Sequence, residues 1–265
     1  MYNFEYRRAQ SVAEAAKLIK EADDGKILAG GMTLIPTLKQ RLAQPSDLID
    51  IGKIAELKGI SVSGKTLTIK AMTRHFDVHS SPEVKKAIPA LAVLAGGIGD
   101  PSVRHRGTIG GSTANADPAA DYPAGIVGLG ATIETNKRKI AADDFFTGLF
   151  ETALEPGELI IAVHFPIPDK AGYLKFAHLA SGYATCGVMV SKTGNQVRVG
   201  VTGAGPNAFR VPEMEAALAK SFTPDAIANI KYPADELLSD MHASAEYRAH
   251  LVTVIAKRAV AAALA

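Results

Sequence analysis

Cysteine occurs once in the 265 residues, at Cys186. A single thiol excludes an intrachain disulfide, and it excludes a cysteine-ligated iron–sulfur cluster built from this chain alone. Tryptophan is absent and aromatic residues make up only 6% of the chain, which argues against a stacking platform for single-stranded nucleic acid. An excess of one charge is lacking too. The 29 Lys and Arg against 27 Asp and Glu leave a formal charge of +2, too little for a nucleic-acid footprint. No apolar run approaches the length of a membrane span. Residues 1–8 lack the apolar core of a signal peptide, so a cytoplasmic location is expected.

What is present reads as a globular α+β chain. Hydrophobic residues reach 47% and charged residues 21%, ordinary values for one large domain or two smaller ones. Ser11, followed by Glu14 and an apolar face of Val12, Ala15, Ala16 and Ile19, predicts a capped helix. Residues 26–29 predict a short strand, Gly30 and Gly31 a turn, and Thr33 the N-cap of a helix that tolerates Pro36 in its first turn. With a strand at 47–51 this first unit reads β-α-β-α-β.

Several patterns in the middle of the chain fail on context. Gly59, Gly64, Lys65 and Thr66 satisfy the P-loop pattern, but a P-loop must open a helix. Here Ile60, Val62, Leu67 and Ile69 alternate around Ser63-Gly64-Lys65, which is strand periodicity about a hairpin turn. His75 and His79 are four apart, yet no ligand cluster accompanies them, and no metal site is expected. Residues 81–95 are helical and broken at Pro89. Residues 97–102 imitate a Rossmann signature but lack its final glycine and follow a helical pattern. Residues 126–133 start apolar and turn towards strand from Ala131, and Asp143 begins a short helical turn. A strand at 159–165 is closed by Pro166 and Pro168, and composition shifts near 169–173. Beyond it, 184–191 and 196–202 pair as a hairpin across 193–195, and helices follow at 214–220, 224–230 and 245–264.

Residues 100–121 concentrate the chemistry. Arg104, His105 and Arg106 form a basic cluster, Thr108, Ile109, Gly110, Gly111 and Ser112 a small-residue loop with hydroxyls and amides. Asn115, Asp117 and Asp121 then return polar groups that can accept hydrogen bonds from sugar, ribityl or ring groups. Consecutive free amides make an anion nest, and glycine permits close backbone approach. A glycine-rich hairpin with solvated charges would show the same residues. The Gly30-Gly31 turn adds weight to the first reading, because the amides at its helix start attract phosphate. Two amide-rich loops suit the two phosphates of a dinucleotide.

Ala29-Gly30-Gly31-Met32-Thr33-Leu34 and the run from Arg104 to Gly111 resemble the two FAD loops of the flavin (medium) subunits of molybdenum hydroxylases, of the carbon monoxide dehydrogenase and xanthine dehydrogenase type. The resemblance continues through residues 114–121, Gly157-Glu158-Leu159-Ile160, and Tyr183-Ala184, covering nearly the whole chain. It implies a two-lobed FAD-binding domain of the PCMH type over 1–170, with lobes of about 1–52 and 53–170, and a C-terminal antiparallel sheet with helices over 171–265. It implies pyrophosphate contacts from 29–34 and, on the other side, from 108–112, with Asp121 near the ribityl or phosphate region. By the same resemblance Gly99 would approach the cofactor by backbone, Ile160 would be an apolar contact, Lys175 would lie near the flavin, and Tyr183 would lie by the isoalloxazine. Two departures stand out: Ser112 replaces a frequent asparagine, and His178-Leu-Ala-Ser-Gly182 replaces a stretch of arginines and an aspartate.

The function implied is an FAD-carrying electron-transfer subunit, an oxidoreductase component with no acid–base residue of its own. A large subunit would carry the molybdenum cofactor and a small one the iron–sulfur clusters, in a heterohexamer. The other readings are a free-standing FAD oxidase or reductase of similar fold, and a non-catalytic assembly subunit.

Overall fold

Ser11 caps the first helix as its spacing predicts. Its Oγ accepts the Glu14 amide at 3.1 Å, while Glu14 Oε2 reaches back to the Gln10 amide at 2.7 Å. The computed structural model, which describes residues 1–265, sets this helix in a first lobe. That lobe comprises β1 (Glu5–Arg8), α1 (Val12–Glu21), β2 (Gly25–Leu28), α2 (Leu34–Lys39) and β3 (Asp47–Asp50). β3 lies between β1 and β2 and runs parallel to both. Ala15 of α1, Ile49 and Ile51 share a small core with Met72 and Leu159, so this lobe already packs on the next.

The second lobe opens with the hairpin of β4 (Ile60–Ser63) and β5 (Thr66–Lys70). Ser63 stands opposite Thr66 and Gly64 turns at φ +57, so no helix follows the P-loop-like residues. Helices α3 (His75–Ser80), α4 (Pro82–Ala87), α5 (Pro89–Gly96), α6 (Pro101–Arg106), α7 (Ile109–Asn115) and α8 (Asp121–Leu129) follow. Pro82, Pro89 and Pro101 each start a helix, where a missing N–H costs nothing. Every residue of α8 is buried; without a polar face it leaves no helical period in the sequence. Strands β6 (Thr132–Thr135), β7 (Lys139–Ala141), the small hairpin β8 (Phe146–Gly148) and β9 (Glu151–Thr152), and β10 (Ile160–Pro166) complete the lobe. Its antiparallel sheet has the order β4-β5-β10-β6-β7.

The last part is a four-stranded antiparallel sheet, β11 (Lys170–Ala177), β12 (Ala184–Thr193), β13 (Gln196–Thr202) and β14 (Phe209–Arg210), with α9 (Pro212–Lys220) and α10 (Ala245–Leu264). The hairpin expected across 193–195 is present, with Gly194 at φ +56. Sequence patterning missed β11, and the helix expected over 224–230 is one 3-10 turn, Pro224–Ile227. α10 lies against one face of this sheet so closely that a Cβ on Gly172 would stand 2.8 Å from the Ala263 nitrogen. α8 covers the other face: a Cβ on Gly200 would stand 2.6 Å from Ala124 O and 2.7 Å from Gly128 Cα. With both faces covered, β12 reads as a nearly unbroken apolar run. The class is α+β, as the sequence predicts.

Candidate functional site

A cavity of about 750 Å³ opens between the two lobes and the loop before β12, at the upper end of the range for small-molecule sites. Of the residues singled out in the sequence, Ala29, Gly30, Gly31, Met32, Thr33, Leu34, Gly99, Thr108, Gly110, Gly111, Ser112, Asn115, Asp117, Asp121, Ile160 and Tyr183 line it. Ile109 and Lys175 do not. Ile109 is fully buried in the core of the second lobe, and Lys175 stands behind the cavity wall.

The two glycine segments differ in what they offer. No backbone amide from Ala29 to Leu34 donates to a protein acceptor. Gly31 holds φ +75, and Thr33 occupies the N-cap position of α2 without a side-chain capping bond. The expected free amides at 109–112 are absent. Ile109 N donates to Thr73 O at 3.1 Å, Gly110 N to Ala71 O at 2.8 Å, Ser112 N to Thr108 O at 3.0 Å, and Gly111 N to Thr108 Oγ1 at 3.1 Å. The segment is a capped first helical turn rather than an open loop, because Thr108 is an N-cap and residues 71–73 provide backbone acceptors. Gly110 is needed where it meets Ala71: an added Cβ would stand 2.8 Å from Ala71 O. Neither Gly110 nor Gly111 has a positive φ.

The basic cluster turns away from the cavity. Arg104 Nη1 donates to Ile98 O and Gly99 O at 3.0 and 3.1 Å, which fixes the Gly99 turn. His105 donates to Pro101 O at 2.7 Å and stacks on Phe76. None of Arg104, His105 and Arg106 lines the cavity.

Asp121 is a buried hub. Its carboxylate accepts from the Tyr173 hydroxyl and from Lys175 Nζ, and Nζ also donates to Gly97 O at 2.8 Å and Gly182 O at 2.6 Å. Burial pushes the Asp121 carboxyl up, against the opposing pull of Lys175 and Tyr173. Lys175 thus ties three chain segments together and holds the loop that leads to Tyr183 at the cavity mouth. Burial also raises the Tyr183 hydroxyl, with Asp117 and Asp121 adding to the effect.

Among the lining residues that the sequence reading did not assign to the site are two buried ionisable groups, His75 and Glu158. His75 is 4% exposed and its Nδ1 has no partner. Burial, reinforced by the charge of Arg104, holds its imidazole down at about 4, so it is neutral near pH 7. His79 points elsewhere, with Nδ1 donating to Ala92 O at 2.9 Å, so the two histidines share no ligand position. Glu158 is buried, which opposes its charge. It is nonetheless held at about 2 by Arg138, the Glu155 amide and Thr135. Only its Gly-Glu-Leu-Ile context marked it in the sequence.

Comparison with known proteins adds the family. Residues 2–168 match the model for the FAD binding domain in molybdopterin dehydrogenase. Residues 173–263 match the CO dehydrogenase flavoprotein C-terminal domain. The chain belongs to the FAD-binding medium subunits of the molybdenum hydroxylases. The carbon monoxide dehydrogenase medium chain of Hydrogenophaga pseudoflava is 37% identical, with 99% of this chain and 97% of that one covered. The nicotine 6-hydroxylase medium subunit of Paenarthrobacter nicotinovorans is 35% identical, covering 96% and 95%. Among solved structures, quinoline 2-oxidoreductase from Pseudomonas putida 86 superposes with a TM-score of 0.88 at 30% identity, covering 98% of this chain and 96% of that one. As in the sequence reading, no helix is long and apolar enough to cross a membrane.

Proposed function

We propose that this chain holds FAD in the cavity and serves as the electron-transfer subunit of a cytoplasmic molybdenum hydroxylase. Electrons arrive from a small iron–sulfur subunit, which draws them from a large subunit carrying the molybdenum cofactor, and they leave to an external acceptor. Two copies of each subunit make the assembly. The observation that carries this reading is the run of acceptor-free amides from Ala29 to Leu34, beside a cavity of small-molecule size. Unpaired amides at a helix start favour an anion, and the pyrophosphate of FAD fits that donor set. The single cysteine agrees, since the one-electron relay then belongs to other polypeptides.

Bound FAD supplies a carrier that takes up electrons singly and releases them singly or in pairs. The chain's residues bind and position. The amides of 29–34 would hold the phosphates, while Ser112, Asn115 and Asp117 offer further polar groups in the lining. Leu154, Leu159 and Ile160 add apolar surface to the lining. Lys175 and Tyr173 fix Asp121, and through Gly182 Lys175 also fixes the approach to Tyr183. No residue is assigned a proton-transfer role.

Protein isolated from its own host tests this. Absorbance, metal analysis and native mass spectrometry should find flavin, iron and molybdenum in a complex of three different chains, and acid should release the flavin. A molybdenum-free complex of this chain alone, active on a small substrate, refutes the subunit reading. Failure to bind FAD on reconstitution refutes the site.

A further inference from the structure

The loop that closes the cavity mouth carries a histidine that meets another from a distant segment. His178 Nε2 lies 3.2 Å from His242 Nδ1, with ring centroids 4.4 Å apart. His178 immediately precedes residues 179–183, all of which line the cavity. His242 sits on a fixed turn before α10. There Asp240 Oδ1 accepts the His242 and Ala243 amides at 2.8 and 3.0 Å, and Arg248 holds the other Asp240 oxygen at 2.7 Å.

Two imidazole nitrogens on one tetrahedral ion, at bonds of about 2.05 Å, stand about 3.3 Å apart. The nitrogen separation matches that of two ligands sharing a metal, and the rings must swing apart from their 4.4 Å centroid spacing for both lone pairs to meet at one point. A ligating imidazole also needs an acceptor for its other ring N–H. Ser181 Oγ lies 3.2 Å from His178 Nδ1 and meets that need. His178 is half-buried and His242 exposed, so water can fill the remaining positions.

We propose that His178 and His242 form a two-histidine site for a divalent transition ion of the zinc or nickel type, which pins the cavity loop to the α10 turn. Without metal, His178 Nδ1 accepts the Ser181 amide at 3.3 Å, and its proton resides on Nε2, facing His242. Metal binding moves that proton to Nδ1, where Ser181 Oγ accepts it. The ion exchanges two water ligands for two nitrogens, and no proton is released. The pinned loop retards escape from the cavity; this consequence rests on the flavin reading, whereas the metal site does not.

The test titrates Zn²⁺ into the FAD-loaded protein and into His178→Ala, His242→Ala and His250→Ala variants, followed by calorimetry. His250 is exposed on α10 and serves as a control. One ion should bind per chain with micromolar affinity, and each of the first two variants should lose at least about tenfold in affinity, with His250→Ala unchanged. All three rings are at or near the surface, so the variants should keep the wild-type melting temperature. Flavin release, followed by fluorescence after dilution, should slow several-fold with Zn²⁺ in the wild type and in His250→Ala, but not in His178→Ala or His242→Ala. Equal Zn²⁺ binding in all four proteins, or none at about 100 µM Zn²⁺, a level expected to saturate a micromolar site, overturns the site. Histidine-dependent binding without slower flavin release overturns the pinning. Histidine-dependent binding in a chain that takes up no flavin supports the metal site and sinks the flavin reading.

Discussion

Replacing Gly30 by alanine should separate the two lobes. Gly30 lies on the first lobe, and an added Cβ would overlap the Arg106 carbonyl oxygen and stand 2.8 Å from Arg106 C and 2.9 Å from Gly107 Cα on the second. Ordinary carbon–carbon contacts begin near 3.5 Å, so backbone must yield by at least about 0.7 Å. Neither partner is a flexible side-chain end that could swing aside. Overpacking of this kind costs roughly 1–3 kcal/mol, and a backbone-to-backbone clash belongs at the top of that range. A variant that must spend about 3 kcal/mol to restore the closed cavity loses about 100-fold in FAD affinity. The assay is a flavin fluorescence titration alongside a thermal melt, in which a chain of this length should fall by about 6–12 °C. Gly64→Ala is the control, since Gly64 has φ +57 and nothing within 4 Å. It should cost about 1–2 kcal/mol through backbone strain and leave FAD affinity unchanged. A Gly30→Ala protein with wild-type melting temperature and FAD affinity within twofold refutes the reasoning.

Lys175→Met removes the only cation from buried Asp121 and frees Gly97 O and Gly182 O. Breaking such a pair costs about 3–5 kcal/mol, and proteolysis near 178–183 should speed up markedly. Gly110→Val should fail to fold rather than fold without flavin, because its side chain meets Ala71 backbone; soluble expression with native circular dichroism contradicts this. Acid should destabilise the chain in two windows. His75, with its folded pKa depressed from 6.5 to about 4, contributes stability that is full above 6.5 and lost as pH falls to 4, about 3 kcal/mol by linkage. Glu158, depressed from 4.5 to about 2, contributes stability present above 4.5 and lost as pH falls towards 2. Denaturant melts at stepped pH should show both slopes, and His75→Gln should abolish only the upper one.

The elements that announced themselves were those set by local chemistry. Ser11 with Glu14, the Gly64 turn and the Gly194 turn each depend on neighbours within a few residues, and each folds as its sequence suggests. Much of the cavity lining was also legible, because 29–34 and 108–121 concentrate glycine, hydroxyl and carboxylate residues. What escaped depends on distant partners. Residues 109–112 have poor helix formers, yet they become a helical turn because Ala71 and Thr73 accept the first two amides. β11 mixes buried Tyr173 with exposed Leu174 and Phe176, and only pairing to β12 makes it a strand. The Lys175 tether joins residues 97, 121 and 182, which no local pattern connects.

The wholly buried α8 carries a consequence for synthesis. Its cover on one side is the sheet of β12 and β13, made about 60 to 80 residues later in the chain. While the ribosome is still translating that stretch, a helix with no polar face has emerged without its partner. Nascent chains in this state associate readily through exposed apolar surface. A truncation ending near residue 168 retains the entire cavity-bearing sequence except residues 179–183, yet it keeps α8 permanently uncovered. Such a fragment should be recovered largely as aggregate or chaperone-bound chain, and supplying residues 169–265 in trans should rescue it only if both pieces are made together.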